Sequence, residues 1–148
     1  MKRIINVILM ITCLSVVLCS CRLLGNEKSL KKVAEEHLKL SFNDATVLEE
    51  WDNHGEFHGD GETFVKLSCG DGFEENFSSE WKLLPLEGDA YHYFYEWDGV
   101  FEHPETEEKV IPQVENGYWL FKSTGPMNWE FALFDFEENI LYFYIFDA

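Results

Sequence analysis

Ile140-Leu141-Tyr142-Phe143-Tyr144-Ile145-Phe146 is apolar or aromatic at every position. A strand with one face in water alternates polar and apolar residues, so an unbroken run of this length predicts a central strand covered on both faces. Working back along the chain, residues 129–136 and 117–124 read as two more strands. Turns at Glu137-Glu138-Asn139 and Gly125-Pro126-Met127 join the three into an antiparallel meander. Upstream, residues 45–51 and 62–69 carry the same period of two on either side of a glycine-rich turn, which predicts a hairpin.

The period is different before residue 41. Leu30, Val33, Ala34, His37 and Leu38 follow the i, i+3, i+4, i+7, i+8 spacing of an amphipathic helix over residues 27–40. Asn26 is the expected N-cap and Asn43-Asp44 the expected stop. His37 lies on the apolar stripe and reads as a packed histidine. The segment 90–97 fits alternation and helix alike; Glu87-Gly88-Asp89 before it and Asp98-Gly99 after it favour helix. Residues 73–79 suit a helical turn, with Phe73 and Phe77 at i, i+4. Residues 81–86 are extended, with Pro85 marking an edge, and the acidic, proline-bounded stretch 100–112 reads as a loop. The expected fold is α+β: one N-terminal amphipathic helix packed on an antiparallel sheet of about five or six strands.

All 24 aromatic residues lie after position 41, a density that demands a packed core or an aromatic binding face. On the second reading the five tryptophans, Trp51, Trp81, Trp97, Trp119 and Trp129, could line a peptide or glycan groove, with Trp51, Trp97 and Trp119 the chosen candidate binding residues. Charge is also unevenly distributed. Residues 22–39 carry a net charge of +2, whereas residues 41–148 hold Lys66, Lys82, Lys109 and Lys122 against 25 acids, a net of −21. Such a body is repelled by phosphates, so nucleic-acid binding is excluded. It is suited instead to a basic protein or peptide, an immunity-like inhibitor of a basic protein being one form of this.

The first 21 residues have a different purpose. Met1-Lys2-Arg3 precedes an uncharged, largely apolar run, residues 4–18, shorter than the about 20 residues that cross a hydrocarbon core. This order is that of a removable signal peptide, residues 1–20. Its ending, Leu18-Cys19-Ser20-Cys21, resembles the lipobox of bacterial lipoproteins. The resemblance implies that Cys21 becomes the lipidated first residue of the mature chain. The expected location is then the extracytoplasmic face of the cell membrane, with residues 21–26 as tether and 27–148 as a single domain. Cleavage leaves 128 residues, too few for the two lobes of a transporter's substrate-binding protein. It also leaves Cys69 without an intramolecular disulfide partner, and its setting among Val65, Leu67 and Ser68 reads as that of a buried small hydrophobe.

Within the body, His54-Gly55-Glu56-Phe57-His58-Gly59-Asp60-Gly61-Glu62 places a polar residue at every even position. If extended, it would put His54, His58 and Asp60 on one face with Glu56 and Glu62, an N/O donor set that zinc accepts. The alternative is a hairpin tip whose glycines supply positive φ and whose polar groups face water. The zinc-protease helix motif is absent, because Glu56 follows His54 by two places and the glycines oppose a helix. Ser68 lacks the first glycine of a nucleophile elbow, no phosphate loop precedes the helix, and residues 71–75 lack calcium-loop spacing. No cofactor is expected. A non-enzymatic binding module is the first reading of the domain, and a metal-dependent envelope hydrolase using His54, His58 and Asp60 is the alternative.

Several stretches resemble a group of small uncharacterised proteins from Firmicutes: residues 54–63, Trp81-Lys82-Leu83-Leu84-Pro85-Leu86, Val114-Glu115-Asn116-Gly117-Tyr118-Trp119, Phe131-Ala132-Leu133-Phe134-Asp135 and Leu141-Tyr142-Phe143-Tyr144. The resemblance implies no activity. It does imply a Gram-positive setting, with the anchor on the outer face of the cell membrane.

Overall fold

The computed structural model describes residues 29–54, 60–96, 101–125 and 127–148. Outside these lie the expected signal peptide, Cys21 and the expected tether with Asn26, the first two residues of the expected helix, Gly55 to Gly59, Trp97, the expected Asp98-Gly99 stop, Val100 and Pro126. Six strands form one antiparallel sheet: β1 (Thr46–Asp52), β2 (Gly61–Ser68), β3 (Lys82–Leu83), β4 (Gly117–Gly125), β5 (Asn128–Asp135) and β6 (Ile140–Asp147). Their order is β1-β2-β6-β5-β4-β3. Two short helices, α1 (Leu30–Leu38) and α2 (Gly88–Tyr95), accompany the sheet.

β6 pairs with both β2 and β5, which gives the all-apolar run its central place. Its side chains divide between two cores. Leu141, Phe143 and Ile145 join Val65, Leu67, Ala132 and Phe134 on one face, beneath Ala34, Leu38 and Phe42. Tyr142 and Tyr144 join Phe64, Trp119, Trp129, Phe131 and Leu133 on the other. There, Leu86 and Ala90 from the α2 region and Phe101 and Ile111 from the following loop cover the sheet. Two apolar faces need two covers, and this chain supplies one from each side of β1–β3 in sequence.

α1 is shorter than the periodicity predicts. Ser29 caps it through its carbonyl, which accepts from the N–H groups of Lys32 and Val33, and Lys39 ends it in the left-handed region at φ 56°. The early stop lets Phe42 turn into the core, where its amide donates to Glu35 Oε1 at 3.0 Å and its ring stacks on Phe73 at 5.5 Å. Helical periodicity alone does not register this long-range pull.

A second departure is in β1. Val47 and Trp51 are four residues apart and would share a face in a regular strand. A bulge between Val47 and Glu49 shifts the register, so Val47 packs on the α1 side and Trp51 on the α2 side. The expected helical turn after β2 is a single 3-10 turn, Phe73–Asn76. At the opposite edge, β3 is two residues long and is followed by a cis Leu84–Pro85 bond. The loop after α2 folds back on itself: Val110 N–H donates to Phe101 C=O at 2.8 Å, and Glu102 bridges to Lys109. Phe101 holds φ 61°, an unfavourable value for a residue with a Cβ, while its buried ring lies 4.7 Å from Tyr144 and 5.2 Å from Phe131. Aromatic packing outweighs the local strain.

Candidate functional site

His54 stands just past the end of β1, where Asn53 ties the two hairpin arms: its amide donates to Glu62 C=O at 3.0 Å, and its side-chain carbonyl accepts from Glu62 N–H at 2.6 Å. The imidazole lies between two carboxylates. Nδ1 is 2.5 Å from Asp52 Oδ1, and Nε2 is 3.5 Å from Asp147 Oδ2 at the end of β6. Gly61 is required here, because a Cβ on it would come within 2.5 Å of His54 Cα. Asp60 is exposed, and His58 lies outside the described residues. Among the described residues, no group of three or more His, Cys, Asp or Glu side chains is arranged to hold a metal ion. The partners that the structure does give His54, Asp52 and Asp147, come from β1 and β6, far apart in sequence.

The tryptophans divide in the same plain way. Trp119 is only 4% exposed and its indole N–H donates to Leu83 C=O at 3.1 Å, which ties β4 to the edge strand. Trp51 is half-buried against Phe64, Tyr144 and His103. Both belong to the aromatic core, and Trp97 lies outside the described residues. Trp81 and Trp129, also candidates for a binding groove, are buried, and Trp129 is the centre of that core: it stacks on Phe146 at 5.3 Å and on Tyr144 at 5.8 Å. Alternation marked it as one face of a strand, but nothing local distinguishes it from the other tryptophans.

The buried ionisable groups are held neutral. Burial pushes the Cys69 thiol up to about 11, against the opposing pull of the Leu141 backbone and Lys31. Burial, reinforced by Asp135 and Glu138, raises the Tyr142 phenol to about 12. Burial drives Tyr144 higher still, with Glu62 adding to it. A thiol so shifted is a poor nucleophile, in keeping with its place under α1.

The four lysines of the body are all engaged within the molecule. Lys66 lies over the Tyr142 ring at 5.5 Å and Lys82 over the Trp119 ring at 4.8 Å. Lys109 meets Glu102 at 3.6 Å, and Lys122 donates to His37 C=O at 3.0 Å. His37 reaches Glu130 on β5 and tilts against Phe143, as expected for a packed histidine.

No helix among the described residues is long and apolar enough to cross a membrane. Comparison of the chain with protein-family models, with curated proteins and with solved structures returns no match.

Proposed function

We propose that the chain is a lipid-anchored protein of the extracytoplasmic face of the cell membrane, whose domain is a non-enzymatic module for a basic protein or peptide. The Leu18-Cys19-Ser20-Cys21 sequence supports the anchor through its resemblance to a lipobox, and the similarity to the Firmicutes group supports a Gram-positive setting. The charge of the body carries the binding reading: residues 41–148 hold four lysines against 25 acids, a net of −21. Each of those lysines also has a partner within the chain, a ring, a carboxylate or a carbonyl. The field presented to a partner is negative. Such a field steers cationic partners and repels anionic ones and bare headgroups.

The test is a calorimetric titration of the full-length protein, held in uncharged detergent micelles, with lysine, glycine-serine and glutamate octapeptides. The lysine peptide binds, its affinity falls with added salt, and the other two give no heat above dilution. Equal binding of the glutamate peptide, or binding indifferent to salt, contradicts the reading.

A further inference from the structure

Among the described aromatic residues, only Tyr91 and Tyr95 are exposed, at 46% and 49%. They are neighbours on one face of α2, with ring centroids 4.9 Å apart, while Ala90 and the half-buried Tyr93 and Phe94 turn inward. The two rings form one wall of a cavity of about 310 Å³ whose remaining lining includes Leu84, Pro85, Val114 and Glu115. An apolar, aromatic trough left open in a protein that buries its other described aromatics wholly or in part marks a binding surface.

Charge identifies what it binds. Glu115 lies in the lining itself, which holds no lysine or arginine. Glu87 and Asp89 stand exposed at the start of α2, where they line a neighbouring pocket with Glu80 and Lys82. Glu96, at the other end of the helix, is held by His92 at 2.7 Å. The negative face of a tyrosine ring attracts an ammonium or guanidinium group, and flanking carboxylates add to that attraction without competing for the ring. We infer that the Tyr91–Tyr95 trough takes a lysine- or arginine-bearing extended segment of a basic partner protein. Its methylene stem lies along Leu84, Pro85 and Val114, and its charged head rests over the tyrosines.

This inference rests on the basic-partner reading above, and one titration separates the two. The full-length protein in uncharged micelles is titrated with octalysine as wild type and as three double variants. In the first, Tyr91→Ala with Tyr95→Ala removes the rings from exposed positions. In the second, Tyr91→Phe with Tyr95→Phe keeps the π faces. The third, Glu49→Gln with Glu50→Gln, removes two charges from β1 at the far edge of the sheet. Circular dichroism checks that each variant is folded.

The alanine pair weakens octalysine binding by about fivefold to thirtyfold, the sum of two ring–cation contacts. The phenylalanine pair stays within about twofold of wild type, as does the β1 pair at moderate salt. Octalysine binding that is unchanged by the alanine pair overturns the trough and leaves the basic-partner reading standing. A wild type that binds no octalysine overturns both. Equal affinity for a glycine-serine octapeptide, or a concentration-dependent dimer abolished by the alanine pair, assigns the trough to another occupant and overturns the inference.

Discussion

His37 on α1 and Glu130 on β5 meet at 2.7 Å across 93 residues of sequence, and the carbonyl of the same histidine accepts from Lys122 on β4. These two bonds fasten the C-terminal turn of a nine-residue helix to the sheet. A helix so short has little stability of its own, so its position depends on side-chain fastening and on the burial of Ala34 and Leu38. A double-mutant cycle between His37→Ala and Glu130→Ala, followed by urea denaturation, is expected to give a coupling of about 0.5–1.5 kcal/mol, since the pair is only partly shielded from water. Strict additivity would show that the two side chains touch without holding the helix.

Trp129 lies between Tyr144 and Phe146 and in contact with Phe101 at 5.5 Å, so it bears on both the sheet and its loop cover. Trp129→Ala is expected to cost about 3–5 kcal/mol in urea denaturation. Tyr91→Ala, at an exposed ring, is expected to change stability by less than about 0.5 kcal/mol in the same assay. The contrast distinguishes a core aromatic from a surface one.

Gly117 begins β4 where a Cβ would stand 1.9 Å from the carbonyl oxygen of Phe134. The obstacle is backbone and cannot swing aside. Gly117→Ala is therefore expected to destabilise at the upper end of the about 1–3 kcal/mol typical of overpacking, read as a lowered urea midpoint. Gly70→Ala meets nothing within 4 Å and serves as the comparison.

Alkaline pH acts through Cys69, Tyr142 and Tyr144. The folded pKa values of Cys69 and Tyr142 are raised from 9.0 to about 11 and from 10.0 to about 12, and burial raises Tyr144 further. Between each pair of values the unfolded chain has lost a proton that the folded chain keeps, so unfolding is favoured as pH rises. The contribution is complete below about pH 9 and is lost progressively towards pH 12. Urea midpoints measured across that range should fall, and the fall above pH 10 should be shallower in Tyr142→Phe. Iodoacetamide labelling of Cys69 at pH 8, read by peptide mass spectrometry, should be slow in the native protein and fast in urea. Rapid native labelling would show an accessible thiolate.

The two-faced strand at residues 140–146 and the meander before it were legible because burial on both faces leaves no polar position to misread. The first hairpin was legible too, but the bulge in β1 was not, since it depends on pairing with β2 rather than on any residue of its own. The end of α1 was blurred for a similar reason: Phe42 is drawn into the core by Phe73 and Glu35, a contact that helical periodicity does not contain. Phe101 gave no signal as core, sitting beside an acidic loop in a left-handed conformation.

For the candidate site, Trp119 and an exposed binding tryptophan look alike in sequence, and only burial separates them. The pair Tyr91 and Tyr95 was hidden because residues 90–97 fit alternation and helix alike. Helix puts the two rings together on the outside, whereas alternation would have placed them on one face with Tyr93. His54 was noticed for its neighbours in the turn, yet its contacts are Asp52 and Asp147, the latter supplied by β6.

Membrane fractionation is the direct test of the proposal that this acidic domain works from a lipid anchor on Cys21. Cells expressing wild type and Cys21→Ala are separated into membrane and soluble fractions, and the mature N-terminus is read by mass spectrometry. The expected wild type begins at a lipid-modified Cys21 and sediments with membranes, and the expected variant is released in folded form. A variant as membrane-bound as wild type, or a wild type with an unmodified Cys21, would contradict it.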